Sequence, residues 1–226
     1  MTEMRKLSIL YIHGMGGGID SRIPSVLKAD LGKSLPEGVV ADVIVRTYDI
    51  DPDIAFGQIT SWFNEIRPDL VIGESLGSLH AIRLKGVPHI LVSPAIGAAR
   101  WMSTVSLIPG IPTLMRCIFK PYSPDRQSLD FTHKILSHYR GIRKQVLDCS
   151  PRRGGNDFFY AFFGTVDHYR RSGVVSVRKW AKYFGRDTYN IYEGTHFMED
   201  EYLHTMLIPK IISVLGLESG NRKTDF

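Results

Sequence analysis

The stretch Asp69-Leu70-Val71-Ile72-Gly73-Glu74-Ser75-Leu76-Gly77-Ser78-Leu79-His80-Ala81-Ile82-Arg83 decides how the rest of the chain is read. Leu70 to Ile72 is a short apolar run of the kind a buried strand needs. The chain then turns through Gly73-Glu74-Ser75-Leu76-Gly77 and continues as a helical segment ending near Gly86. G-x-S-x-G between strand and helix is the setting of a nucleophile elbow, a tight, strained turn that projects the serine Oγ from the sheet edge. Glycines two residues to either side let strands and helix approach closely. The following helix aims N-terminal N–H groups near the serine, where negative charge would develop. The pentapeptide alone is a weak signal, because an ordinary helix N-cap serine has the same residues. The rest of the chain has to supply an acid, a base and an oxyanion hole.

Upstream, Leu7 to Ile12 is a nearly all-apolar strand, and it runs into His13-Gly14-Met15-Gly16-Gly17-Gly18. Four glycines in five positions mean a backbone that turns sharply or approaches something closely. They fit neither G-x-G-x-x-G nor the P-loop pattern, which leaves an oxyanion loop as the reading. A helix follows over about Ser21 to Leu35, then a strand over Val39 to Tyr48, then a helix from Asp53 closed by Pro68. Past the elbow, His89 to Ser93 is another buried strand. The first hundred residues thus alternate strand and helix, which predicts an α/β fold with a mostly parallel sheet and helices on both faces.

The rhythm breaks from Gly97 to about Gly155. Trp101, Met102, Val105, Leu107, Ile108, Ile111, Leu114, Met115, Ile118 and Phe119 are interrupted by Pro109, Gly110, Pro112 and Pro121, and a more polar helix covers Ser128 to Leu147. Within a single domain of residues 1–226, the stretch 97–155 reads as a helical cap over the sheet's carboxyl edge, shaping an apolar pocket. Plain core helices are its alternative. Membrane contact through the cap is the weaker expectation, because the stretch is too interrupted for a clean amphipathic helix. The sheet resumes at Asp157 to Gly164, followed at once by Thr165-Val166-Asp167-His168. After a helix over Val174 to Phe184, a short strand, Thr188 to Tyr192, opens into Glu193-Gly194-Thr195-His196. Glu199 to Leu217 is a closing helix and Gly220 to Phe226 a frayed tail.

Ser75, Asp167 and His196 therefore occur in the order Ser, Asp, His, the last two each just beyond a strand. In a parallel sheet those strand ends share one edge. A serine hydroxyl is a weak nucleophile until a histidine takes its proton, and a carboxylate holds the imidazole in the required tautomer. The backbone N–H groups of Met15 and Leu76 would hold a tetrahedral oxyanion. Asp148 and Glu193 are rivals for the acid, and His13, His80 and His204 for the base. Glu74 reads as a structural elbow residue bonding neighbouring backbone. A metal site from His13, His196 and Asp167 lacks any recognised ligand spacing, so no metal or cofactor is expected.

On these pieces the chain resembles the α/β-hydrolase superfamily, as a small serine esterase or lipase-like member. They are His13-Gly14 after the first strand, Gly73-Glu74-Ser75-Leu76-Gly77, Gly164-Thr165-Val166-Asp167 and Gly194-Thr195-His196. The resemblance implies a nucleophile at Ser75, an acid at Asp167, a base at His196 and oxyanion donors at Met15 and Leu76. It also implies hydrolysis of an acyl ester or thioester through an acyl-enzyme. The three successive glycines from Gly16 depart from the pattern and leave Gly16 as an alternative donor to Met15. A carboxylesterase with an apolar pocket is the expected activity. Its alternatives are a catalytically silent binding protein of the same fold and a hydrolase of a non-ester bond. Substrate does not follow from fold.

Composition agrees with a globular chain, at 43% hydrophobic and 23% charged residues. Net charge is +5, concentrated from Arg100 to Arg153, where ten Lys or Arg face three Asp. Nothing matches a nucleic-acid-binding module, so the expected partner is a small-molecule ester. Oligomeric state is left open. With no apolar signal segment before the first strand, and with Cys117 and Cys149 lacking a metal or redox spacing, the expected location is the cytoplasm, with both thiols reduced.

Overall fold

Six parallel strands form one sheet among the described residues, 4–118 and 125–218, of the computed structural model. They are β1 (Arg5–Ile12), β2 (Val39–Val45), β3 (Leu70–Glu74), β4 (His89–Val92), β5 (Phe159–Gly164) and β6 (Tyr189–Tyr192). Their order is β2-β1-β3-β4-β5-β6. Phe119, Lys120 and Pro121 of the proline-interrupted stretch, and the tail Gly220 to Phe226, lie outside the described residues.

Alternation along the strands explains the two-sided burial. Leu10 and Ile12 of β1, Val71 of β3, Leu91 of β4 and Ala161 and Phe163 of β5 point into one apolar cluster. Ile9, Tyr11, Leu70, Ile72, Ile90, Val92 and Phe162 point into a second cluster on the other face. Successive side chains leave a strand on opposite faces, so an all-apolar strand needs helices above and below.

Those helices are α1 (Arg22–Asp30), α2 (Pro52–Ile66), α3 (Ser78–Ala81), α4 (Ala98–Val105), α5 (Ile111–Ile118), α6 (His133–Asp148), α7 (Val177–Tyr183), α8 (Asp200–Tyr202) and α9 (Ile208–Val214). The first cluster takes side chains from α2, α3, α4, α6 and α7, and the second from α1 and α9. Asp51 starts α2 by accepting from the Asp53 N–H at 3.0 Å, with Pro52 at the first helical position.

Several boundaries differ from the sequence expectation. The first helix stops at Asp30 and finishes as a 3₁₀ turn, Leu31–Ser34, and β2 ends at Val45, not Tyr48. The elbow helix is a 3₁₀ turn, Ser75–Gly77, plus the single turn of α3. Only seven residues separate Ala81 from β4, so the chain must leave the helix early to return beside β3. The closing helix is broken by a π-helical turn at Leu203–Leu207.

The stretch expected as a cap divides in two. Along α6, Leu136, Tyr139, Ile142 and Val146 join the first cluster, and the Tyr139 hydroxyl donates to Ile50 O at 2.9 Å. Residues 101–118 are shallower, with Leu107, Ile108, Leu114 and Ile118 exposed. Among the described residues no helix is long and apolar enough to cross a membrane. Cys117 and Cys149 are unpaired thiols.

β1 is flanked by β2 on one side and β3 on the other, so the direction of winding reverses there. Such a switch point opens a crevice beyond the strands' carboxyl ends. The loop after β1 and the elbow after β3 are the two walls of that crevice, brought side by side by the pairing of Ile12 with Gly73.

Candidate active site

At the end of β3 the chain reverses through Ser75, whose φ is +47°. A residue with a Cβ is strained in that region, typically by about 1–3 kcal/mol, and persists there only when its surroundings hold it. The glycines around it show what holds it. A Cβ on Gly77 would stand 2.3 Å from His13 O, and one on Gly73 would stand 2.7 Å from Ala81 Cβ. Both positions are closed to any larger residue, so the elbow is clamped between β1's exit loop and α3.

Ser75 Oγ lies 2.7 Å from His196 Nε2, and His196 Nδ1 lies 2.7 Å from Asp167 Oδ2. With the ring proton on Nδ1, the serine hydroxyl donates to Nε2 and Nδ1–H donates to the carboxylate. His196 and Asp167 are buried, at 2% and 3% exposure. The other carboxylate oxygen accepts from the Tyr169 N–H at 2.8 Å, capping a 3₁₀ turn over His168–Arg170. The Tyr169 ring meets the His196 ring edge-on with centroids 4.6 Å apart. The three side chains come from the ends of β3, β5 and β6. Gly164 makes that convergence feasible, since a Cβ there would stand 2.3 Å from Gly194 O in the loop that leads to His196.

The rivals lie elsewhere. Asp148 pairs with Arg153 at 2.6 Å, and Glu193 is exposed. His204 is exposed and pairs with Asp30 at 3.1 Å. His80 is buried with no hydrogen-bond partner among the described residues, and burial pushes its pKa down to about 3. His13 donates from Nδ1 to Gly14 O at 2.7 Å and stacks on Tyr48, centroids 4.4 Å apart. Burial lowers its pKa to about 4, against a smaller upward pull from that carbonyl. Both rings are neutral packing elements under the glycine loop.

Glu74 departs from its expected role. Its carboxylate accepts not from backbone but from the Tyr11 hydroxyl at 2.7 Å. Burial, and next the Glu74 charge, raise the Tyr11 pKa well above that of a free tyrosine.

The glycine loop is fastened by a residue that sequence reasoning missed. Gln127 is fully buried; its Oε1 accepts from the Gly16 N–H at 2.9 Å, and its Nε2 donates to Asp49 O at 3.2 Å. Its own N–H donates to Gly17 O at 2.8 Å. The Gly16 N–H is thereby engaged; Met15, Gly16 and Leu76 all line the cavity beside Ser75. Arg22 was missed too. From α1 it donates to Phe197 O, Met198 O and the Asp200 carboxylate, while the Glu199 carboxylate accepts from the Thr195 N–H at 2.9 Å. These contacts brace the loop that carries His196 on both flanks. No local pattern signals either residue, because Gly16 and Gln127 are 111 positions apart and Arg22 and Phe197 175.

Above Ser75 opens a cavity of about 790 Å³. Met15, Leu76, Trp101, Leu129, Val174 and Phe197 give it apolar walls. Arg22, Glu74 and Arg126 also reach it. The volume lies within the usual range for a small-molecule site. The metal-ligand-like group found among the described residues, Asp51, Asp53 and His138, lies apart from this cavity, and there Asp51 serves as the cap of α2.

No protein-family model matches the sequence, and neither does any curated protein. Solved structures are similar to it in fold. NosK from Streptomyces actuosus superposes with a TM-score of 0.61 at 14% identity, covering 93% of this chain and 99% of that one. The 2-hydroxy-6-oxo-6-phenylhexa-2,4-dienoate hydrolase from Rhodococcus sp. strain RHA1 gives 0.55 at 14% identity, covering 93% and 91%. The thioesterase domain from the curacin biosynthetic pathway gives 0.54 at 14% identity, covering 92% and 90%.

Proposed function

We propose, on the premise that this chain has the α/β-hydrolase fold, that it is a serine hydrolase cleaving a small-molecule acyl ester or thioester. The observation that carries the reading is the hydrogen-bonded run from Ser75 through His196 to Asp167, each contact 2.7 Å. Similarity to a hydrolase and a thioesterase domain adds a consistent background, but fold alone does not assign chemistry.

In this reading His196 Nε2 takes the Ser75 proton as Oγ attacks the acyl carbon. The carbonyl electrons move onto oxygen, and the Met15 and Leu76 N–H groups stabilise that charge. Since α3 is a single turn, its dipole is small, and the two N–H groups carry this role themselves. The His196 imidazolium, steadied by Asp167, returns its proton to the leaving alcohol or thiol as the C–O or C–S bond breaks. Water, deprotonated by His196, then attacks the acyl-enzyme, the Ser75 oxygen recovers a proton, and a carboxylic acid leaves. Trp101 and Ile118, from the shallow part of the expected 97–155 cap, shape an apolar acyl site. A cytoplasmic location belongs to the same reading and rests on the unpaired thiols Cys117 and Cys149.

The test is turnover of a nitrophenyl ester series by the chain and its Ser75→Ala and His196→Ala variants. The reading expects each variant to fold normally and lose turnover by roughly a thousandfold or more. Undiminished turnover in a folded Ser75→Ala protein contradicts it.

A further inference from the structure

Exposed apolar side chains are unevenly distributed. Of thirteen large hydrophobics exposed among the described residues, five fall within 101–118: Trp101, Leu107, Ile108, Leu114 and Ile118. Leu107 is 70% and Ile118 63% exposed. In α5, Leu114 and Ile118 stand one helical turn apart on the outer side, while Pro112 and Met115 are buried beneath. Scattered exposed hydrophobics are ordinary, but a cluster of this kind marks an interaction surface.

Along this segment of the chain the charge has one sign. No Asp or Glu occurs between Glu74 and Asp125, a span that contains Arg83, Lys85, Arg100, Arg116 and Lys120. Arg100 and Arg116 are exposed, on α4 and α5 of the same segment. The cluster is also continuous with the site, because Trp101 and Ile118 line the cavity above Ser75 as well.

We propose that this face, α4 to α5, docks on an anionic phospholipid surface. Leu107, Ile108 and Leu114 enter the headgroup boundary, and Arg100 and Arg116 meet lipid phosphates. Apolar tips beside cations and without acids match such a surface on both counts. A second copy of the chain matches less well, since this segment offers no carboxylate to its partner's arginines. Docked in this way, the cavity mouth lies against the lipid, and the substrate class becomes an acyl ester drawn from the membrane. That last step rests on the proposed hydrolase activity; the docking does not.

The experiment is vesicle flotation of the Ser75→Ala protein, so that no lipid is consumed. The vesicles are phosphatidylcholine alone or phosphatidylcholine mixed with phosphatidylglycerol. The expected result is binding to the mixed vesicles roughly tenfold or more above the neutral ones. Adding Leu107→Asp and Leu114→Asp should abolish it, and adding Arg100→Glu and Arg116→Glu should erase the preference for anionic lipid. Placed in the otherwise wild-type chain, the same substitutions should leave turnover of a water-soluble short-chain ester unchanged, which shows that the fold survives. Absence of flotation with the mixed vesicles overturns the proposal, as does full binding by the Leu107→Asp/Leu114→Asp protein. A concentration-dependent dimer in sedimentation velocity that those two substitutions dissolve also overturns it, in favour of self-association. Flotation without ester turnover in the wild-type chain leaves the docking standing and removes the acyl-ester substrate.

Discussion

Gln127 Oε1 accepts the Gly16 N–H at 2.9 Å, and this bond ties the glycine loop beside Ser75 to a segment 111 positions away. The loop carries four glycines in five positions and would otherwise sample many backbone states. Gly16 and Met15 both line the cavity alongside Leu76, but the Gly16 N–H is already engaged by Gln127. A buried carboxamide, reaching in from a distant part of the chain, thus shapes the proposed oxyanion site without touching substrate.

Gln127→Ala should therefore affect both stability and rate. It leaves the Gly16 N–H and Asp49 O without partners, at a cost of about 1–3 kcal/mol. The loosened loop should lower kcat by roughly tenfold with a smaller change in KM. Denaturant melts and ester kinetics on one preparation check both parts, and unchanged kcat refutes the positioning role.

Asp167→Asn separates orientation from packing. The asparagine oxygen can still accept from the Tyr169 N–H, so the turn over His168–Arg170 should persist. Its NH2 group then takes the place of Oδ2 and donates where the carboxylate accepted from His196 Nδ1–H, which favours the wrong tautomer. The expected loss in kcat is roughly a thousandfold to ten-thousandfold. A near-native melting temperature should accompany it.

Strain at Ser75 can be measured by comparing two inactive proteins. Ser75→Ala and Ser75→Gly both remove the hydroxyl, but only alanine keeps a Cβ at φ +47°. Ser75→Gly should be the more stable by about 1 kcal/mol in urea unfolding. Equal stability would mean that the turn holds no strain.

Acid should destabilise the fold through its buried histidines. Burial lowers the pKa of His13 to about 4, His80 to about 3 and His89 to about 4. An unfolded histidine titrates near 6.5. Below that pH the unfolded chain binds protons that the folded chain refuses, so stability is full above about pH 6.5 and falls as pH drops toward 4. Each histidine contributes a slope of up to about 1.4 kcal/mol per pH unit in that window. Urea unfolding between pH 7 and pH 4.5 reads the slope, and His89→Phe should reduce it, because the ring lies stacked on Phe159 and makes no hydrogen bond among the described residues.

Local features of the sequence go far here, and non-local ones do not. Leu70 to Ile72, followed by Gly73 and Gly77, contains within eight residues the burial, the turn and the clearance that the elbow needs. Asp167 and His196 are legible because each directly follows a strand in a parallel sheet, which constrains where strand ends lie. The short elbow helix was not legible: its end is set by the return to β4, a tertiary demand that the apolar spacing through Ile82 does not reveal. Gln127 and Arg22 act across more than a hundred residues and look like ordinary surface polar residues in the chain. The role of α6 was obscured for a related reason. Its apolar positions suit either a cap or a core layer, and only the packing of Leu136, Tyr139, Ile142 and Val146 distinguishes them.

The central claim is that Ser75 is an activated nucleophile, and covalent labelling with a fluorophosphonate followed by peptide mapping tests it most directly. Such a reagent captures a serine whose proton is removed by a base and whose oxyanion is stabilised. The account predicts stoichiometric modification of Ser75, abolished by His196→Ala in a folded protein. Wild-type protein that stays unlabelled, or is labelled at another residue, contradicts it.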